Sequence, residues 1–205
     1  MARPPRAVLF DADGVLQHMA VEWREEIGER SGEEGPDQQH LLDDIARAEQ
    51  PTMTGEVDLP GSLEEVIEEH DADLAVEDIL QTWQEIEVDE GVLDGVRALA
   101  ARGVIRALTT NQAPERAAWM QANLPYGELF DAHFYSCDMG VAKPDPAYFQ
   151  QVLEALGVAA EDALFMDDTA VNVASAQQLG LRAELFARDG GRAELDRILG
   201  LHGLA

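Results

Sequence analysis

The 205-residue chain contains one cysteine, Cys137, and one lysine, Lys143. A single thiol excludes an internal disulfide framework and a zinc site built on paired cysteines, and it fits a reducing, cytoplasmic setting. Cys137 reads as a small packed residue, since free cysteine is commonly buried. No apolar run approaches the roughly 18 residues that a membrane-spanning helix needs. The run that opens at Ala7 is four residues long, too short for the apolar heart of a secretion signal. Bases are scarce as well, 14 against 41 acids, for a net charge of −27. Such a field repels nucleic acid and anionic lipid, so neither is expected as a partner. A second reading of the charge is adaptation to concentrated salt.

What is present suffices for a core. Hydrophobic residues make up 46% of the chain, as in globular proteins. The charge is uneven: residues 17–90 hold 24 acids and three arginines, whereas the rest holds 17 acids and 11 bases. A step of this size marks a candidate domain boundary.

The less charged part alternates short apolar runs, at 7–10, 104–108, 133–136, 163–166 and 181–186, with helix-like stretches near 91–102, 113–123, 146–156, 170–179 and 191–199. This is the pattern of βαβ units and a parallel sheet. Gly103, Gly157 and Gly180 stand where helices should end. Residues 17–90 read as four helices, near 20–30, 38–49, 62–69 and 76–87, with breaks at Gly35-Pro36 and Pro60-Gly61. The predicted architecture is α/β: a Rossmann-like core over residues 1–16 and 91–205, with a helical domain, 17–90, inserted after the first strand.

Chemistry-bearing residues cluster at predicted strand ends, where open α/β sheets bind ligands. Asp11 and Asp13 follow the first strand, two residues apart, so both can face one centre. Gly14 permits the turn that follows. A calcium loop of the EF-hand kind is excluded by spacing, because Val15 stands at the fifth position, where an oxygen ligand is needed, and the glycine, Gly14, comes at the fourth position instead of the sixth. Asp167 and Asp168 end another apolar run. Adjacent carboxylates there either cap a helix or share a cation, and a second acidic strand end favours a hard ion such as Mg²⁺. Thr110 and Asn111 offer a hydroxyl and an amide to a phosphoryl oxygen. Lys143, held extended before Pro144, offers a compact positive charge.

In this order the four segments resemble the haloacid dehalogenase superfamily of phosphohydrolases. The resemblance covers essentially the whole chain. Thr110 lies 99 residues after Asp11, which leaves room for a small helical cap, and Lys143 lies 33 after Thr110, which leaves none for a second. The double aspartate followed by Asn172 is most similar to the branch of sugar-phosphate phosphatases and the phosphatase domain of soluble epoxide hydrolases.

The resemblance implies a Mg²⁺-dependent phosphatase of a small phosphorylated metabolite, working as a monomer or homodimer. Asp11 would be the nucleophile that forms an aspartyl-phosphate. Asp13 would be the general acid and base, its pKa raised by a nearby anion. The metal would be held by the Asp11 carboxylate, the Asp13 backbone carbonyl and Asp168, with Asp167 behind them or bound through water. Thr110, Asn111 and Lys143 would bind the phosphoryl oxygens. Asp13 argues against halide chemistry, which needs no leaving-group proton. The insert has no lysine for a Schiff base. A phosphotransferase or mutase on the same core, and a phosphoacceptor or other non-catalytic relative, remain the alternatives. His18, Trp23 and Arg24 are candidates to line the cleft, with Trp23 and Trp83 also fitting the core of the insert. The acidic insert should disfavour bisphosphates, which leaves a neutral sugar or polyol monophosphate as the expected substrate.

Overall fold

Four residues, Ala7–Phe10, form strand β1, and every one of them is fully buried. Such a run is stable only between two neighbours and beneath helices on both faces. In the computed structural model, which describes residues 3–204, β1 is the middle of a five-stranded sheet. Strand β2 (Gln17–Met19) follows, then helices α1 (Trp23–Arg30), α2 (Gly35–Glu49), α3 (Leu59–His70) and α4 (Val76–Trp83), then strand β3 (Ile86–Val88). The rest alternates: α5 (Glu90–Leu99), β4 (Ile105–Thr110), α6 (Pro114–Asn123), the short α7 (Tyr126–Leu129), β5 (Ala132–Tyr135), the short α8 (Ser136–Met139), α9 (Pro146–Leu156), β6 (Ala163–Asp167), α10 (Ala170–Gln178), β7 (Arg182–Leu185) and α11 (Gly191–Leu201).

The main sheet has the order β5-β4-β1-β6-β7 and all its pairs are parallel. One apolar cluster covers one face, with Phe10, Leu108 and Met166 from the strands and Val92, Ile198 and Phe130 around them. A second covers the other face, with Leu9, Phe165, Tyr148 and Val173. This is the expected α/β architecture, and the register brings the ends of β1, β4 and β6 together.

Helices α1–α4 share a third cluster, which includes Ile27, Ile45, Leu63, Ile79 and Trp83. Strands β2 and β3 pair antiparallel, Gln17 opposite Val88 and Met19 opposite Ile86, so the insert leaves and rejoins the core at one place.

Several local expectations are corrected. The helix predicted over 76–87 ends at Trp83, and residues 86–88 form a strand. Gly35-Pro36 and Pro60-Gly61 fall at breaks between helices, but inside the helices that follow, since α2 opens at Gly35 and α3 at Leu59. Each proline sits in a first helical turn, where its missing N–H costs nothing. Ser136 opens α8 instead of ending β5, and its Oγ accepts a hydrogen bond from the Gln112 backbone N–H, 3.0 Å. Gly103 and Gly157 end their helices in the left-handed conformation, and Gly180, just past the end of α10, has φ +95°. Cys137 is half-buried against the main core, and burial pushes its thiol up to about 11, which suits a packing residue. No helix among the described residues is long and apolar enough to cross a membrane.

Candidate active site

Three strand ends carry the site. Asp11 follows β1, Thr110 ends β4 and Asp167 ends β6. Lys143 enters from the loop before α9, and the Asn111 side chain fastens it there. The Asn111 Nδ2 donates to the Lys143 carbonyl, 2.8 Å, and the Lys143 N–H donates to the Asn111 Oδ1, 2.9 Å. The Asn111 amide was expected at the phosphate. In the structure it fastens the lysine loop, and Asn111 also lines the cavity.

The Lys143 Nζ lies 2.8 Å from an Asp11 oxygen and donates to the Asp167 Oδ2 at 2.7 Å and to the Thr109 carbonyl at 2.9 Å. It also stands 5.4 Å from the centre of the Phe165 ring. Burial pulls its pKa down, but Asp11 and Asp167 together raise it above its ordinary value. Lys143 is therefore a fixed cation. Asp167 is wholly buried and fully engaged: it also accepts from the Thr169 N–H, 2.7 Å, and from the Asn172 Nδ2.

Asp11, Asp167 and Asp168 bring carboxylate oxygens within 4.8 Å of one another. Burial pushes the Asp11 carboxyl up, Lys143 pulls it back, and Asp167 and Asp13 raise it again, to about 7. Three hard oxygen donors against one ammonium fit a divalent cation of the Mg²⁺ kind, which would favour the ionised carboxylate. The donor set thus fits the expected metal, although both Asp167 oxygens already accept bonds from Lys143, Thr169 or Asn172. Gly14, at φ +78°, allows the close approach of Asp168, because a Cβ built there would stand 2.2 Å from the Asp168 Oδ2. Arg188 pairs with that same oxygen.

Asp13 departs most from expectation. Its side chain accepts four hydrogen bonds. Arg116 supplies two, at 2.6 and 2.8 Å, Gln112 one at 2.7 Å and Gln17 one at 2.9 Å. Burial alone would raise its pKa, but the Arg116 charge and these bonds hold it down at about 2. The predicted elevation by a neighbouring anion is corrected: the neighbour that matters is a cation. Thr110 is buried, and its Oγ1 accepts a 3.1 Å bond from the same Gln112 amide.

A cavity of about 930 Å³ opens between core and insert, walled by Asp13, Asn111 and Arg116 on one side and His18, Trp23 and Glu49 on the other. That volume suits a small metabolite. Trp23 and Trp83 meet edge to face, centroids 5.8 Å apart, so both serve the insert's core and the wall. Arg24, a candidate for the wall, instead pairs with Asp43 and lies over the Trp23 ring. Gln17, Glu49, Gln112 and Arg116 were missed in the sequence. The signal for two of them was their place just after Thr110: Gln112 lies two residues before α6 and Arg116 in its first turn.

A family model described as haloacid dehalogenase-like hydrolase matches residues 5–180. The phosphoglycolate phosphatase 1 of Pseudomonas aeruginosa is 27% identical over 187 residues, covering 88% of this chain and 68% of that protein. A drimenol cyclase of Aspergillus calidoustus is 42% identical over 73 residues, 35% of this chain but 14% of the cyclase. For two other curated relatives the share of their length is 29% and 21%. An HAD family enzyme of Bacteroides thetaiotaomicron, solved as a magnesium complex, superposes with a TM-score of 0.80 at 20% identity, over 95% of this chain and all of the other. At that identity the likeness speaks for the fold. The family match takes in all four strand-end segments, and the chain belongs to the haloacid dehalogenase-like hydrolases.

Proposed function

We propose that the protein is a Mg²⁺-dependent phosphatase of small phosphomonoesters, acting through an aspartyl-phosphate on Asp11. One observation carries this reading: three carboxylates and a buried ammonium meet at adjacent parallel strand ends, beside a metabolite-sized cavity. Phosphoryl transfer asks mainly for positioning and charge neutralisation, and this arrangement supplies both.

An Asp11 carboxylate oxygen attacks phosphorus, the P–O bond to the leaving alcohol breaks, and the alkoxide takes a proton from the Asp13 carboxyl. Water then attacks phosphorus, the P–O bond to Asp11 breaks, and Asp13 takes the water's proton. To hold a proton for the first half, Asp13 must give up one of its four hydrogen bonds. Lys143 fixes Asp11 and offsets negative charge, and the Thr110 hydroxyl reaches a phosphoryl oxygen. Asp11, the Asp13 carbonyl and Asp168 would hold the metal ion, with Asp167 completing the acidic set. Bound Mg²⁺ supplies positive charge for the phosphoryl oxygens.

Residues 17–90 act as a cap over the site, entering and leaving through the β2–β3 pair. Glu22, Glu49, Asp89 and Asp189 in the cavity wall disfavour a second phosphate on the substrate and favour a monophosphate of a neutral alcohol. The reading is tested by phosphate release from an aryl phosphate. Turnover is expected with Mg²⁺ and not with chelator, and Asp11→Asn should lower kcat by about 10⁴-fold or more. Full activity in the variant would remove Asp11 as nucleophile.

A further inference from the structure

We propose that Arg116 is the positioning residue for Asp13, and that it ties the placement of that carboxylate to the insert. The inference rests on the proposed roles of Asp11 and Asp13.

The geometry is that of a clamp. Both Arg116 terminal nitrogens bind Asp13, one to each oxygen, at 2.6 and 2.8 Å. This two-pronged match fixes the plane of the carboxylate as well as its distance, which a lysine would not do. The Arg116 Nη1 also donates to the Gln112 Oε1 at 2.7 Å, and its Nε donates to the Trp83 carbonyl at 2.9 Å. Trp83 ends α4, the last helix of the insert, three residues before β3 returns the chain to the core. Behind the carboxylate, Gln17 of β2 donates to Asp13 and accepts a 2.7 Å bond from the Tyr126 hydroxyl. Asp13 is thus held from α6 on one side and from β2, a connection to the insert, on the other. The guanidinium that orients it is anchored at the other connection. Arg116 is 11% exposed, and among the described residues Asp13 is the one acid at salt-bridge distance from it, with Glu49 acting on it at longer range.

The half-reaction that depends most on orientation is the second. Water forms its bond to phosphorus while the P–O bond to Asp11 breaks and the Asp11 carboxylate is released. The proton of that water passes to Asp13, whose oxygen must face the attacking water. An unclamped Asp13 still lies near the site but no longer presents one oxygen there. Loss of Arg116 is therefore expected to slow hydrolysis of the aspartyl-phosphate more than its formation, most clearly with an aryl ester, whose leaving group needs little help from an acid.

The test is rapid-mixing of wild type, Arg116→Ala, Arg116→Lys and Asp13→Asn with p-nitrophenyl phosphate and Mg²⁺, with acid-quench trapping of phosphoprotein. Thermal melts report folding. Arg116→Ala is expected to give a burst near one nitrophenolate per site, then a steady rate about 100-fold below wild type, at the lower end of what a positioned acid-base group contributes. Phosphoprotein should accumulate. Arg116→Lys, which keeps the cation and loses the fork, should fold and show the same burst with a smaller loss. Asp13→Asn should share the pattern. A folded Arg116→Ala or Arg116→Lys variant with steady turnover within threefold of wild type overturns the inference. So does a slowed rate with neither burst nor trapped phosphoprotein, which would make Arg116 merely structural. An Asp13→Asn variant at full activity would instead overturn the proposed role of Asp13.

Discussion

The ion pairs at the core's strand ends and those on the insert handle charge in opposite ways. In the core, Lys143 is 1% exposed and its partners Asp11 and Asp167 are 10% and 0% exposed. In the insert, Arg24 and Asp43 are 41% and 46% exposed, and Arg30 and Glu26 are 38% and 36%. Buried pairs lose a great deal when one member is removed, because the other charge is left without water or partner. Exposed pairs lose little. The core thus buries a few of its charges where chemistry needs them, while pairs such as Arg97–Asp94 and Arg192–Asp196 stay exposed on its surface. The insert carries most of the chain's excess acid on its surface and leaves its own packing to apolar residues such as Ile45 and Leu63.

The sharpest way to break this contrast is at Lys143. Lys143→Met leaves Asp11 and Asp167 facing each other in a dry site. Stability should fall by about 3–5 kcal/mol, measured by urea denaturation, and phosphatase turnover should vanish. Arg in its place should not restore turnover, since a planar fork does not fit where one compact ammonium meets two carboxylates and a carbonyl.

A smaller effect separates the two parts by pH. Asp13 belongs to the core and is held at about 2 by Arg116 against its ordinary 3.8. Its contribution to stability is full above pH 3.8 and is lost as pH falls toward 2. Glu49 closes α2 in the insert and is pushed up to about 7 from an ordinary 4.5 by burial, with Arg116 opposing and Asp13 adding. Its contribution has the reverse sign: intact below pH 4.5 and lost as pH rises through 7. Glu49→Gln should leave stability at pH 4 unchanged and add on the order of 2 kcal/mol at pH 8, after allowance for partial exposure to solvent. A denaturation series across pH checks it, and parallel curves for variant and wild type would refute it.

The smallest effect lies on the surface of the insert. Arg24→Ala, which removes the pair with Asp43, should change stability by less than about 1 kcal/mol. The difference should shrink further in about 1 M salt, where exposed charges are screened. A larger loss would mean that the contact of Arg24 with the Trp23 ring, rather than the ion pair, holds α1 in place.

Much of this arrangement was legible in the sequence, and for a physical reason. A buried parallel strand must be a continuous apolar run, so Ala7–Phe10 and Ala163–Met166 stood out, and the acids at their ends were conspicuous against them. The insert's entry strands were not legible. Each has three residues, Gln17–Met19 and Ile86–Val88, too few to show alternation, and the helical pattern of α4 ran on into the second. The ring around Asp13 was hidden for another reason. Gln112 and Arg116 lie 99 and 103 residues from it, and a polar residue near the start of a helix looks like solvent-facing surface until the fold brings a carboxylate to it. Asn111 was picked out as a polar residue at a strand end, but only the path of the Lys143 loop decides which partner its amide meets.

The central position of β1 bears on how the molecule comes into being. Ala7 lies opposite Ile105 on one side and Ala163 on the other, so the strand made first waits for partners synthesised much later. The apolar cluster of the insert lies within residues 19–83, apart from Ala113, and can form while those partners are still missing. Distant parallel pairings close slowly, and a free apolar strand invites wrong ones during the delay. At four residues, β1 offers a stray strand little to pair with, so its shortness limits misassembly until β4 and β6 arrive.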